Sequence, residues 1–539
     1  MMASTDSPKH LKVEAASSGD AEHRGGKGAL YIGITIALAA AMFAIGSFKA
    51  GYHEDEIATF QLSNKLNGYA VVEEGVIYDG AEIWDAYVDV QDGGAFDYAN
   101  VWANQADDVH PPLYYVLVHT VSSLLPDLPI LWVGLLVNVP ICCIVYWQLV
   151  WIARRLGMRD WMSLAIPATF VLGQAFVSYG VVFFRMYSLL TVWTNLLVML
   201  FMSSDPEEDG GVRYYVPFAL TMLGGCLTQY YFLVFAFLAC IVYAVAVALA
   251  RNWHKLFASL GVAITSILVA LAIFPAAYHH IFGTSRGTGA FRDLLHKDLI
   301  EGLEEYFGYI DAYVFGGLFI AVVIAIVVLA IAARRKGRIG LGSRKVLSYC
   351  LLLIPAIVYV LFNAKVSPDL EGGTTMRYVV NVCGLLYLAS FGLLADMAGK
   401  VAPRTLASVC VAALAVAAMG LGWRGGSSTM YLDEDVKMEC LEEQGDSFGV
   451  YICDMDSKAW HLKSNLQEVA EMDRIVFLSI DDLDDYDFES LDCDSLTVFV
   501  DYLYLEDYDV LEYAMDCTGT SSCVRLFSAG NANVYRFDW

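Results

Sequence analysis

The chain has 539 residues, 57% of them hydrophobic and 13% aromatic, only 17% charged, with a net charge of −26 and a mean hydropathy of +0.52. A water-soluble enzyme of this length needs more charge to keep its surface hydrated, so the composition excludes an ordinary soluble globular protein. The acidity lies mainly at the C-terminal end, where Tyr431 to Trp539 hold 27 Asp and Glu against 6 Lys and Arg. Such a tail repels phosphate, and no phosphate-cradling glycine loop is present, so nucleic acid is excluded as a partner.

Residues 1–28 are polar, carry Lys9, Lys12, Arg24 and Lys27, and are expected to be a disordered cytoplasmic tail. The apolar run Ala29–Phe48 that follows is long for a signal-peptide core, and reads as an uncleaved anchor. Further apolar runs of spanning length lie at 130–152, 161–182, 187–204, 213–230, 231–250, 256–276, 313–333, 346–363, 379–397 and 405–422, about eleven transmembrane helices in all. The fold class is therefore a polytopic α-helical membrane protein.

Basic residues orient it. Arg154, Arg155 and Arg159, then Arg251 and Lys255, then the cluster from Arg334 to Lys345, then Lys400 and Arg404 all fall in loops on one side. With the N-terminus inside, that side is cytoplasmic, and the first long loop (49–129), the turn near Arg185, the loops 277–312 and 364–378 and the tail are extracytoplasmic. The loop 277–312 is a mild exception, since it carries Arg286, Arg292 and Lys297. The apolar stretch Pro111–Leu125 is too short to cross and reads as an interfacial helix. The expected organisation is thus a membrane domain over 29–423 and a small acidic extracytoplasmic α/β domain over 424–539. In the latter, β-rich runs at 449–453, 474–479 and 495–500 alternate with helical patterns at 457–472 and 506–515, implying a parallel core. Residues 524–528 and 533–537 close it as a hairpin. Cys517 and Cys523 are close enough in sequence to bridge in an oxidising exterior.

The residues with chemical promise lie at outer span ends. His53-Glu54-Asp55-Glu56 sets three successive carboxylates just past the first span, where they repel one another or begin a solvated loop. Asp107-Asp108 precedes Val109-His110-Pro111-Pro112-Leu113-Tyr114-Tyr115, and there paired prolines and a helix N-terminus fix the polar groups at the lipid interface.

Asp55-Glu56 after the first span, together with Asp108-x-His-Pro-Pro-Leu-Tyr-Tyr115, resembles the GT-C membrane glycosyltransferases. The branch it is most similar to contains the protein O-mannosyltransferases and the aminoarabinose transferase of lipid A. Arg185-Met-Tyr187, Thr228-Gln-Tyr-Tyr-Phe232 and Arg377-Tyr378 fit the same ordered pattern, over roughly residues 30–400. Gln229 stands where the family often has His. The resemblance implies a GT-C-like fold and the transfer of one sugar from a polyprenyl-phosphate-linked donor to an extracytoplasmic acceptor, whether protein, glycolipid or cell-wall polymer, in a cell membrane. It implies Asp55 as general base, Glu56 orienting the acceptor or tuning Asp55, and Asp108 as a second carboxylate. His110, Arg185, Tyr187, Tyr230, Arg377 and Tyr378 are then the donor and acceptor contacts, with Tyr231 a weaker candidate. The arginines suit a leaving lipid phosphate. No cofactor is required; a divalent cation on Glu54, Asp55, Asp108 and His110 is chemically reasonable, although no spacing demands one. A transporter or flippase of a lipid-linked sugar is the alternative, but it calls for ionisable groups near the midplane and repeated halves, and the sequence has neither. A receptor or sensor that binds through the acidic tail leaves the loop motifs without a purpose.

Overall fold

A computed structural model describes residues 18–539 apart from 69–71, 298, 339, 368–370, 446, 456–461 and 502–507. The expectation of disorder for the N-terminal tail falls on residues 1–17 outside this set, whereas residues 18–28 already belong to the first helix, α1 (Ser18–Gly46). Among the described residues seven helices are long and apolar enough to cross a membrane, and two bent pairs raise the number to nine. The chain is a multi-pass membrane protein.

The bent pairs are Asp160–Val171 with Gln174–Val181, turned by 57°, and Gly302–Val314 with Phe319–Arg335, turned by 84°. The second bend sits at Gly316 and Gly317, whose φ of +61° and +78° only glycine adopts without strain. The two remaining expected spans are the helices Tyr187–Ser203 and Val212–Cys226, of 17 and 15 residues. Both fall short of the roughly 20 residues a full crossing takes, because the chain leaves helical geometry at Phe183–Arg185 and again near Gln229 to present polar groups. By length and composition the described residues thus offer up to nine spans, with these two shorter helices beside them.

The loops richest in Lys and Arg meet at one end of the bundle. Lys345 Nζ lies 2.6 Å from Asp396, Lys400 Nζ donates to the Gly340 carbonyl at 3.1 Å, and Arg159 reaches Thr405 at 3.1 Å. Arg344 pairs with Asp205, and Lys255 donates to the carbonyls of Asp205 and Glu208.

At the opposite end the first loop folds into short helices, α2 (Glu54–Asn64), α3 (Gly80–Val88), α4 (Tyr98–Asp107) and α5 (Leu113–Leu124). α5 is the short apolar helix expected after Pro111; it buries Tyr114, Tyr115, Val118 and His119. Over these helices sits a six-stranded sheet in the order β1-β3-β2-β4-β6-β5. Its strands are β1 (Ile77–Tyr78), β2 (Phe448–Ile452), β3 (Ile475–Leu478), β4 (Ser495–Asp501), β5 (Ser522–Ala529) and β6 (Ala532–Asp538). β2 runs parallel to both β3 and β4, and β5 and β6 form the hairpin. β2, β3 and β4 are buried at every position, as central strands covered on both faces require.

β1 comes from the first loop and pairs antiparallel with β3, so the sheet is completed by residues more than 350 positions away in sequence. Gly80 marks the same junction. Its N–H donates to the Met472 carbonyl at 2.9 Å, and a Cβ there would collide with the Val469 carbonyl oxygen.

Two local expectations change. The helix expected over 457–472 lies partly outside the described residues. The rest is a 3₁₀ turn, Leu462–Ser464, and a short helix, Leu466–Ala470. Asn465 interrupts it, its side chain accepting from Tyr451 Oη at 3.2 Å and donating to the Ala529 carbonyl at 2.5 Å. The later helix runs Tyr508–Thr518, with residues 506–507 outside the described set. Cys517 and Cys523 are free thiols, one on that helix and one on β5.

Candidate functional site

The acidic tetrapeptide begins a helix. His53 is the N-cap of α2: its Nδ1 accepts from the Asp55 N–H at 3.0 Å, while Glu56 Oε2 accepts from the His53 N–H at 2.9 Å. This reciprocal arrangement is a capping box, and three acidic residues in a first turn are favoured by the positive end of the helix dipole. The mutual repulsion read from the sequence is thereby offset by backbone N–H groups.

The carboxylates then diverge. Glu56 is fully buried: besides His53 N–H, it holds Lys49 Nζ at 3.0 Å, and its other oxygen accepts from the Phe184 N–H at 2.9 Å. Lys49 also donates to the Thr429 carbonyl at 2.6 Å. Glu56 thus ties α2 to the end of the first span, the Phe183–Arg185 turn and the segment after the last span. Glu54 turns to the C-terminal domain, accepting from Ser464 Oγ at 2.9 Å.

Asp55 faces two arginines. Arg377 Nη1 lies 2.9 Å from its Oδ2, and Arg185 Nη2 lies 3.4 Å from its Oδ1. Burial alone would push the Asp55 carboxyl up, but Arg185 and then Arg377 outweigh it and hold the group well below the usual carboxylate range. Arg185 is 3% exposed and spreads its fork over one turn of α2 and the start of α5. Nη1 donates to the Asp55 carbonyl at 3.1 Å, Thr59 Oγ1 at 3.0 Å and Tyr115 Oη at 3.0 Å, and Nη2 meets His110 Nε2 at 3.3 Å. The other ring nitrogen of His110, Nδ1, is 2.7 Å from Asp108 Oδ2. Burial raises the Asp108 carboxyl, but His110 and Arg185 carry it below its ordinary range.

Arg377, at the end of a 3₁₀ segment, lies over the rings of Tyr378 and Phe183, at 5.2 and 5.8 Å. Tyr187 packs edge-on to Tyr378 at 6.2 Å, and Tyr231 does so from the other side at 5.7 Å. Asp55, Asp108, His110, Arg185 and Arg377 therefore form one connected cluster, with Tyr187 and Tyr378 around it. Tyr230 is bonded through its hydroxyl to His280 Nδ1 at 2.8 Å and lies within electrostatic reach of Asp108. Gln229 accepts from the Tyr230 N–H at 2.7 Å, a local cap.

The guanidiniums are incompletely used. Among the described residues, Nε of Arg185 and both Nε and Nη1 of Arg377 are buried without a hydrogen-bond partner; Arg377 Nη1 is close to Asp55 but not aligned with it. Buried donors of this kind are rare enough to need an explanation, and a planar fork suits a phosphate or carboxylate. Also among the described residues, no three His, Cys, Asp or Glu side chains gather closely enough to hold a metal ion.

Sequence reasoning passed over Lys49, Thr59 and Lys463. Thr59 has a readable signal, lying four positions after Asp55 and so on the same helix face. Lys49 and Lys463 have none, because their partners are set by tertiary packing.

No protein-family model matches the sequence, and no curated protein is significantly similar to it. The chain is similar in structure to ArnT from Cupriavidus metallidurans bound to undecaprenyl phosphate, at 12% identity over 95% of this chain and 98% of that one, with a TM-score of 0.48. The apo state of that protein gives 13% identity, the same coverage and a TM-score of 0.47. The Archaeoglobus fulgidus oligosaccharyltransferase AglB, in complex with an inhibitory peptide and a dolichol-phosphate, gives 10% identity over 92% of this chain and 72% of that one, with a TM-score of 0.39.

Proposed function

We propose that this protein is a membrane glycosyltransferase that moves one sugar from a polyprenyl-phosphate-linked donor to an acceptor hydroxyl outside the cytoplasm. The observation that carries the reading is the convergence of Asp55, Asp108, His110, Arg185 and Arg377, from four distant segments, around buried guanidinium donors that lack partners. The position of that cluster at the bundle end opposite the basic loops fits a site outside the cytoplasm.

In this mechanism Arg185 and Arg377 take the donor phosphate. The acceptor oxygen attacks the anomeric carbon, the bond from that carbon to the phosphate oxygen breaks, and polyprenyl phosphate leaves with the bonding pair. The acceptor's proton passes to Asp55. A carboxylate clamped between two guanidiniums is a weak base. Phosphate competes with Asp55 for the same cations; once displaced, the carboxylate loses its strongest stabilisation and becomes basic enough to act. Glu56 is a positioning group in this scheme, since both its oxygens are committed to Lys49 and backbone N–H groups. Asp108 orients His110, which braces Arg185.

The test is transfer by the full-length chain in lipid nanodiscs, supplied with radiolabelled polyprenyl-phosphate sugars. Asp55→Asn is expected to lose transfer while keeping its fold; transfer at the wild-type rate would remove the mechanism.

A further inference from the structure

A cavity of about 270 Å³ lies between the start of α2 and the C-terminal domain. It ends at His53 and Glu54, and His53 Nδ1 stands 3.8 Å from Asp55 Oδ2, so one side chain separates it from the catalytic cluster. The far walls belong to the C-terminal domain, including Glu434, Lys437, Lys463 and Glu468. Lys463 is 3% exposed and acts electrostatically on Asp108, Glu54 and Asp55, which puts it on the wall between cavity and cluster.

The walls are wrong for the donor. They carry three carboxyl and two ammonium groups and offer no apolar slot, so the tail of a lipid phosphate would be left without apolar contacts. They are suited to a neutral molecule dense in hydroxyls. Burial, reinforced by Glu434, raises the Glu468 carboxyl to about 8, so near neutral pH it can donate a hydrogen bond. Lys437 Nζ holds Glu434 from the other side at 2.8 Å. The lining sets donors and acceptors of Lys437, Ser464, Gln467 and Asn531 around one space, which adjacent sugar hydroxyls can match, and the Tyr52 and Tyr431 side chains add aromatic wall for a ring face. The volume lies just below the about 300–1,000 Å³ of sites for larger ligands. An extended peptide would instead favour a sheet edge, and β1 already covers the β3 edge nearby.

We propose that this cavity is the acceptor subsite, that it takes a saccharide, and that Lys463 is a specificity-determining residue holding the attacking hydroxyl toward Asp55. The inference rests on the transferase reading above. It is tested by saturation-transfer NMR on the full-length chain in nanodiscs, with the methyl glycosides of glucose, mannose and galactose, a neutral threonine-containing hexapeptide, and inorganic phosphate as probes. At least one glycoside is expected to bind, displaced by neither peptide nor phosphate. Lys463→Gln and the cavity-filling Ser464→Trp are each expected to weaken it by about tenfold or more, with the thermal unfolding profile checked for both. Absence of glycoside binding, binding indifferent to both variants, or displacement by peptide or phosphate overturns the proposal. Because the readout is binding, the two readings fail separately. Wild-type transfer by Asp55→Asn with intact glycoside binding removes the Asp55 mechanism alone, and lost transfer with no glycoside binding removes the subsite alone.

Discussion

If Asp55 occupies the seat that the donor phosphate must take, removing its charge should strengthen phosphate binding while abolishing chemistry. In Asp55→Asn the side chain keeps its shape but no longer neutralises Arg377 and Arg185, which stand 2.9 and 3.4 Å from its oxygens. At an effective dielectric of 20 those separations correspond to about 6 and 5 kcal/mol of attraction. Much of this is returned when the displaced carboxylate, already 22% exposed, regains water. The net cost of opening the pair is better set by a single charge-assisted contact, about 1.5–3 kcal/mol. Asp55→Asn should therefore bind polyprenyl phosphate about ten- to hundredfold more tightly than the wild type, as 1.4 kcal/mol is a factor of about ten.

Titration calorimetry of the full-length chain with a short-chain polyprenyl phosphate reads this directly. Transfer in the same variant should fall by about 10²–10⁴, the usual contribution of a positioned base. Stability gives a second reading, because two buried guanidiniums left without their anion lower the unfolding temperature of the ligand-free variant, and the lipid phosphate restores it. Equal or weaker phosphate binding by Asp55→Asn would refute the exchange of anions, and the base would then need another route to activation.

Glu56→Gln leaves the fully buried Lys49 ammonium without its carboxylate and should lower stability by about 3–5 kcal/mol, seen as an earlier thermal transition; an unchanged transition with lost transfer would instead give Glu56 a chemical part. Arg185→Lys keeps the charge but cannot span Asp55, Thr59, Tyr115 and His110 together, so transfer should fall about a hundredfold with little change in overall fold by circular dichroism. The pH dependence should separate free enzyme from complex. Asp55 and Asp108 are depressed in the folded protein, so their stabilising charge is complete above about pH 4 and is lost only as the solution becomes more acid than that. The thermal transition is thus expected to stay level from pH 7 to about 5 as far as these two groups are concerned. The acid limb of kcat, where phosphate has displaced Asp55, should lie at higher pH than the limb of kcat/KM; coincident limbs would argue against displacement.

The membrane part was legible because hydrocarbon imposes one rule, about twenty apolar residues per crossing, and thirteen of the loops' basic residues follow one orientation pattern as well. What escaped the rule were the helices Tyr187–Ser203 and Val212–Cys226, shortened where backbone leaves the helix to present Arg185 and Gln229. Strands β2 to β6 were legible from β-branched runs and a hairpin turn, since local pattern and final pairing agree. β1 was not. Two residues in a long loop carry no period, and they become a strand only because β3 offers an open edge. Cavity and cluster differ in the same way: Asp55, Asp108 and the arginines announce themselves by motif, while Lys463 and Glu468 look like any solvated charge until the domain folds over α2.

The N-terminus of α2 joins these levels. One turn of helix turns three consecutive carboxylates in three directions: Glu54 to the C-terminal domain, Asp55 to the arginines, Glu56 to Lys49 and the turn that carries Arg185. Each contact fixes a different element, so Asp55, its two arginine partners and the roof of the neighbouring cavity are held by one short segment. Gln467, which accepts from the Tyr52 N–H and donates to the Ala50 carbonyl, both at 3.0 Å, fastens that roof just ahead of the cap. A change in the roof is then felt at Asp55 through His53 and Glu54 without touching the arginines. This is why substitutions in the cavity should alter the use of acceptor before they alter the binding of lipid phosphate.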